Sequence, residues 1–300
     1  MTNIIEEFSE ILRREEPLSR HTWLKIGGPA EYFFVPRTEQ ELLGVIRGCR
    51  SAGLAIHILG GGSNLLVHDE GIRGAVIQVM EPLLSSVTVQ GTSIVAGGGA
   101  LLSHVVSEAV RHGLAGLEHL VGIPGTIGGA VAGNSGGRLG DIGQVIRSVS
   151  VLTQSGDQAV RTGDELSFSY RRSDLQDLLV LSVTMELTAD DSENLTRRTR
   201  KNWIMKRSTQ PLADQSAGCI FRNPRGLSAG ALIEQCGLKG QSAGKARISD
   251  RHANFIVTEE GATSRDIEQL IARIQRAVSE KFGVQLELEI RSWPPLQALP

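Results

Sequence analysis

The sequence predicts an α+β fold built from three segments, and three observations carry that reading. The chain has 300 residues, more than one ordinary hydrophobic core accommodates. Strand-like apolar runs and helical apolar periodicities both recur along it. Its 35 glycines exceed the usual ~7% of residues and imply many tight turns. No internal repeat or low-complexity tract interrupts this pattern.

The first segment, residues 1–80, reads as a small α/β unit. Glu31-Tyr32-Phe33-Phe34-Val35 is expected as a strand. A helix follows, with Thr38 and Glu41 as a capping box and Leu42, Val45, Ile46 and Cys49 on one face. Gly53 stops it. The strands Leu54–Leu59 and Ala75–Val79 complete the segment.

The second segment, residues 81–190, starts near Pro82. Val87–Val89 and Ile94–Ala96 are short strands around a glycine turn, and a helix is expected from Leu101 to His112. Further strands are Ser148–Thr153, Ala159–Thr162 and Leu178–Leu187, with Ser155-Gly156-Asp157 as a hairpin turn. The third segment, residues 191–300, opens on a basic helix near Asp191–Arg207. It continues with a helix at Ala229–Cys236, a strand at Asn254–Thr258 and a long helix at Ser264–Phe282. Ile267, Leu270, Ile271, Ile274 and Val278 mark the apolar face of that last helix. A strand at Val284–Ile290 is expected to close the chain.

Charge and cysteine content narrow the function. A net charge of −2 gives no global basic field, which argues against nucleic acid or a membrane surface as partner. No apolar stretch approaches ~18 residues, so no membrane span is expected. The three cysteines, Cys49, Cys219 and Cys236, form no CxxC pair, and the acidic start is not a secretory signal. A reducing cytoplasm is therefore expected. The seven histidines are scattered singly, so no metal site is expected.

Two glycine-rich loops are the strongest functional signal. One is Gly60-Gly61-Gly62-Ser63-Asn64, directly after an apolar run; the other is Gly122-Ile123-Pro124-Gly125-Thr126-Ile127-Gly128-Gly129. Glycine lets backbone N–H groups approach a ligand, and successive N–H groups make concavities that hold phosphate. Two such loops point to two phosphates, hence a dinucleotide. Leu65 breaks the Rossmann spacing after the first, and neither loop continues into the Gly-Lys-Ser/Thr of a P-loop.

Three polar stretches are candidates for chemistry. In Phe168-Ser169-Tyr170-Arg171-Arg172-Ser173, Arg171 suits a carboxylate; a surface salt bridge is the plainer reading. In Ser216–Pro224, the Cys219 thiol can donate a proton, while a small buried hydrophobe is the alternative. In Leu286–Arg291, Glu287 and Glu289 share a strand face, as a site acid or as an exposed pair.

Taken in order, these residues resemble the UDP-N-acetylenolpyruvoylglucosamine reductase family. The matching stretches are His21–Gly28, Gly60–Val67, Leu117–Gly125, Asn134, Tyr170-Arg171, Ser216–Pro224, Arg251–Phe255 and Glu289–Arg291. They span residues 20 to 291, and their order is what makes them specific. The resemblance implies a two-domain FAD-binding unit of the vanillyl-alcohol-oxidase (PCMH) type and a C-terminal α+β domain that closes over the substrate. It implies non-covalent FAD, NADPH as reductant, a UDP-sugar substrate and a monomer. Gly60, Gly61, Gly62, Ser63 and Asn64 are then assigned to the FAD pyrophosphate. Gly122, Ile123, Pro124, Gly125, Thr126 and Gly128 are assigned to the flavin side, and Tyr170 and Asn223 to substrate.

The same resemblance places Arg171 and Glu289 at the substrate carboxylate, where two close acids would share a proton. It puts Cys219 at the position of the proton donor, commonly a serine in the family. Arg222 stands where a lysine is common. With only Tyr32 and Tyr170 in the chain, and a direct run from Leu187 toward the helix at Asp191, the chain looks like the shorter family type without the tyrosine loop. An FAD-dependent oxidase of the same fold, or a flavin-binding module without catalysis, is the competing reading.

Overall fold

A computed structural model describes residues 2–80, 82–294 and 296. The first residue of the first and of the second predicted segment, and part of the end of the third, therefore lie outside the described residues. The chain forms two compact units. One comprises Met1–Arg13, Tyr32–Gly61 and Gly74–Lys206; the other comprises Arg14–Glu31, Gly62–Arg73 and Arg207–Pro300. No helix is long and apolar enough to cross a membrane among the described residues.

The first unit holds two cores. One lies around α2 (Glu39–Ser51), which follows the short α1 (Thr2–Glu7). The Thr38 side chain accepts the Glu41 N–H at the start of α2, and Leu42, Val45, Ile46 and Cys49 are all buried. Glu41 completes only half a capping box: its carboxylate accepts from the Arg37 N–H instead of from Thr38. The strand Ile56–Leu59 pairs in parallel with Ile72–Gln78 at the edge of a four-stranded sheet and delivers the first glycine loop.

The second core of this unit packs α3 (Leu102–Arg111) and α4 (Ile127–Ala132) on a five-stranded sheet. Its order is Gln158–Thr162, Ile146–Leu152, Leu179–Glu186, Ser93–Gly97, Val87–Gln90, all antiparallel. Alternating burial along Leu179–Glu186 follows from the two faces of a strand. A small hairpin, Phe168–Ser169 with Arg172–Ser173, follows in the same unit. The basic helix α5 (Ser192–Thr209) closes it, with Leu195 as its buried residue.

The second unit is an antiparallel sheet, ordered Gln215–Cys219, Phe255–Thr258, Ala246–Ile248, Ser242–Ala243, packed with α6 (Ala229–Gln235) and α7 (Ser264–Phe282). The long helix starts and ends where its sequence predicts. A full Thr263–Asp266 capping box opens it, and Gly283 closes it in the left-handed region at φ 66°.

The expected strand Val284–Ile290 does not form. Only Leu288 bridges to Phe221, because the Ile220 carbonyl accepts from both Glu289 N (2.8 Å) and Ile290 N (3.4 Å), which bends the chain out of register. Leu286 and Ile290 still bury themselves in the core, so the alternation in the sequence reported burial without a ladder. The chain then forms Arg291–Trp293, parallel to Leu65–Val67. Conversely, Gln215–Cys219 is a strand although its small polar residues read as a turn.

Candidate active site

In the first unit the two glycine loops pack on each other. A Cβ at Gly61 would stand 3.1 Å from the Gly125 Cα, a tight approach that a side chain would force apart by a few tenths of an ångström. Thr126 lies beside Gly60 and is buried. Its hydroxyl accepts the Gly129 N–H as the N-cap of α4, so this predicted cofactor contact already has a structural task. Leu102 N–H to Gly125 O (3.0 Å) and Gly128 N–H to Gly98 O (2.8 Å) stitch the second loop to the segment after Ser93–Gly97. Ile123 donates to Leu120 O, and Pro124 is exposed.

Helix α5 grips the start of this second loop. The Lys206 ammonium donates to His119 O (3.0 Å) and Val121 O (2.7 Å), and the Trp203 ring lies against Gly122. Burial, and then the Arg171 guanidinium, bring the Lys206 amine down to about 8. Burial also lowers His119, whose Nε2 is buried with no hydrogen-bond partner among the described residues. Sequence reading passed over Lys206, whose only signal was its place in a basic helix.

The first loop continues into the second unit as Gly62-Ser63-Asn64. Gly62 has φ 61°, and a Cβ there would stand 2.0 Å from the His21 carbonyl oxygen, so only glycine fits. Among the described residues, the N–H groups of Gly60, Gly61, Gly62 and Asn64 donate no hydrogen bond. Backbone donors left this way on glycine turns fit the phosphates of a dinucleotide such as FAD.

Arg171 sits on the two-residue turn of the Phe168–Ser173 hairpin, beside half-exposed Tyr170. Its φ is 57°, a left-handed conformation that costs a non-glycine residue ~1 kcal/mol and is found where a side chain must be aimed. Its guanidinium donates to Gly136 O (2.7 Å) and stands 5.4 Å from the Tyr170 ring centre.

In the second unit Cys219 and Glu289 come together. Cys219 ends its strand just after a register shift, with Gly218 at φ 79°. The next residue, Ile220, accepts from Glu289 N, and the Asn64 amide donates to the Glu289 carbonyl (3.2 Å). Glu287 is exposed and pairs with Arg222 at 3.4 Å; Glu289 is half-buried, so the two acids are not equivalent. Asn223, expected at the substrate, also caps α6: its Oδ1 accepts the Ala229 N–H at 2.9 Å.

Two asparagines carry more of this architecture than the sequence indicated. Asn134 and Asn254 are buried (1% and 3% exposed), and each amide both donates and accepts. Asn254 closes both bonds on Phe221, donating to its O at 2.8 Å and accepting from its N at 3.0 Å. Both lie inside matched motifs, yet no chemistry of an amide singled them out.

Comparison with known proteins gives two family matches. Residues 30–162 match the model of an FAD binding domain, and residues 210–293 match that of the UDP-N-acetylenolpyruvoylglucosamine reductase C-terminal domain. A UDP-N-acetylenolpyruvoylglucosamine reductase of Heliobacterium modesticaldum is 44% identical over 97% of this chain and 93% of its own length. One from Moorella thermoacetica is 43% identical over 93% and 92%. The crystal structure of UDP-N-acetylenolpyruvylglucosamine reductase from Thermus caldophilus superposes with a TM-score of 0.81 at 37% identity, covering 94% of this chain and 100% of that one. A Phl p 4 variant, a glucose oxidase, shares only the fold, with a TM-score of 0.50 over 63% of this chain and 44% of its own at 16% identity.

Proposed function

This chain belongs to the UDP-N-acetylenolpyruvoylglucosamine reductase family, and from that premise we propose how its residues serve the reaction. The chain is an FAD-dependent oxidoreductase that reduces UDP-N-acetylglucosamine enolpyruvate to UDP-N-acetylmuramate for bacterial peptidoglycan synthesis. FAD, held by the glycine turns, would supply two-electron hydride chemistry, with NADPH as the reductant and the enolpyruvyl double bond as the acceptor.

The glycine turns at Gly60–Asn64 and Gly122–Gly128 hold the cofactor through backbone N–H groups. Arg171 stabilises the negative charge that develops on the substrate carboxylate as hydride adds. Glu289 acts at the same carboxylate. The Cys219 thiol then gives its proton to the second enolpyruvyl carbon, forming the C–H bond of the product, and the thiolate is reprotonated from solvent. Tyr170 and Asn223 contact the substrate. The three contiguous domains read from the sequence remain our assignment of cofactor and substrate roles to the chain. A monomer in the cytoplasm fits the three free cysteines.

The observation that carries this reading is the placement of Cys219 beside Glu289 through Ile220, with Asn64 of the first glycine loop on the Glu289 carbonyl. Its test is anaerobic: reduce the purified protein with NADPH, remove the excess, add UDP-N-acetylglucosamine enolpyruvate and follow flavin absorbance. Prompt reoxidation is expected. A flavin that stays reduced until air enters would make the chain an oxidase, and a protein without flavin would remove both readings.

A further inference from the structure

Asn134 stands at the exit of α4, in the left-handed region at φ 42°. Its amide Nδ2 donates to Ser169 O at 2.8 Å, and its Oδ1 accepts from Gly143 N at 3.0 Å. The orientation of the amide is fixed by its partners, since a carbonyl only accepts and a backbone N–H only donates. Ser169 is the last residue before the Tyr170-Arg171 turn. The other side of the hairpin is tied to the same helix end, through Ser173 Oγ to Ala132 O at 3.1 Å. The guanidinium of Arg171 returns to Gly136 O, two residues beyond Asn134. Phe168 fills the space over Gly143, where a Cβ would stand 2.6 Å from its ring. Every one of these bonds lies within the first unit.

A two-residue hairpin with a left-handed arginine at its tip has little of its own to hold it. Two-stranded hairpins are marginal in water, and here each strand has only two residues. The strain at Arg171 persists only where surrounding bonds over-determine it. Asn134 supplies a bond to Ser169, the residue directly before the turn. Its own left-handed backbone, which asparagine tolerates better than most residues, aims the amide between two segments.

We propose that Asn134 is the positioning residue for Arg171: it locks the hairpin carbonyl at Ser169 and thereby fixes the direction of the guanidinium toward the substrate carboxylate. The proposal rests on the role given to Arg171 above. Asn134 touches no reacting atom in this scheme and acts through the turn.

The test compares N134D, N134G and R171A. N134D keeps the acceptor for Gly143 but sets a carboxylate oxygen against the Ser169 carbonyl. N134G keeps the left-handed backbone without strain and loses both side-chain bonds. Hydrogen exchange of the peptide spanning residues 167–174 reports the turn directly. Anaerobic reoxidation of the reduced flavin by UDP-N-acetylglucosamine enolpyruvate reports its consequence. In both Asn134 variants the peptide is expected to lose protection while the rest of the first unit keeps it. Reoxidation should slow about 10²-fold, the scale of a misplaced catalytic group. Flavin content and the rate of reduction by NADPH should stay at the parental level.

Unchanged exchange at residues 167–174 overturns the proposal. So does loss of protection throughout the first unit in both variants, which would make Asn134 a residue of the fold alone. Parental reoxidation with a loosened turn also overturns it, provided R171A is slow. If R171A itself reoxidises normally, the role of Arg171 falls, and the exchange result still decides whether Asn134 holds the turn.

Discussion

Two buried asparagines, one in each unit, hold the backbone beside a side chain to which we assign a catalytic role, and they do it differently. Asn254 directs both amide bonds to Phe221, two residues past Cys219. Its carbonyl also accepts from Ile220 N, so it extends the sheet as an extra strand residue would. Asn134 spreads its bonds over two segments, Ser169 and Gly143, far apart in sequence. The contrast teaches where redundancy lies. Near Cys219 the backbone is held by a sheet, a bridge at Phe221–Leu288 and Asn254 together. Near Arg171 it is held by a two-residue ladder and by side-chain bonds from Asn134, Ser173 and Arg171 itself, at a strained turn. Damage should therefore be shared by the whole second unit in one case and confined to one turn in the other.

The sharpest way to break this contrast is to remove the chemistry without touching the frame. Because the sheet holds its backbone independently of the thiol, Cys219→Ala should leave Tm within a few degrees. Product formation should fall about 10³-fold, the weight of a positioned proton donor. Reduction of the flavin by NADPH should persist, and Cys219→Ser should recover much of the turnover. Normal product formation in Cys219→Ala would withdraw the donor role. Thiol alkylation should also inactivate this enzyme faster than a serine-bearing relative in a side-by-side assay.

A smaller effect should follow from Asn254→Asp, which puts a buried carboxylate oxygen against the Phe221 carbonyl. Loss of one buried bond and the repulsion it creates should cost about 2–3 kcal/mol. The loss should appear as a lower unfolding midpoint for the second unit in denaturant. A variant that lost only its proton-donor step, with its midpoint intact, would show that Asn254 and Asn134 work alike and would cancel the comparison.

Much of this was legible in the residues. The face of α2, the capping box of α7 and the hairpin turn at Ser155-Gly156-Asp157 are local, and periodicity and turn chemistry report local structure well. The glycine loops were legible for the same reason, since left-handed backbone favours glycine, as at Gly62, Gly122 and Gly125. What was not legible depends on partners distant in sequence. Val284–Ile290 has strand alternation but, among the described residues, pairs only through an isolated bridge at Leu288 with Phe221. Gln215–Cys219 lacks strand-forming residues but finds Phe255–Thr258. The amides of Asn134 and Asn254 read as ordinary loop residues until Ser169 and Phe221 are beside them.

The smallest expected effect sharpens the comparison from the side of the first unit, where the half-buried Lys206 ammonium holds the start of a glycine loop. Lys206 titrates near 8 when folded because burial, and secondarily Arg171, disfavour its charge. An unfolded lysine keeps its proton to about 10.4. Between those values the unfolded chain binds more protons than the folded one, so Lys206 makes stability rise with pH across that window. Below pH 8 the ammonium is charged in both states and its desolvation cost is fully present. Cys49 acts in the opposite direction: burial raises its thiol to about 11, so folding loses stability as the unfolded thiol ionises above 9. Comparing Lys206→Met with the parent cancels the Cys49 contribution, which both share. The parent should gain on the variant by about 2 kcal/mol between pH 7.5 and 10, a partly solvated lysine giving less than its full shift. Parallel pH profiles for the two proteins would show that the grip of Lys206 on His119 and Val121 carries no electrostatic cost. The first unit would then hold its glycine loop as cheaply as the second unit holds Cys219.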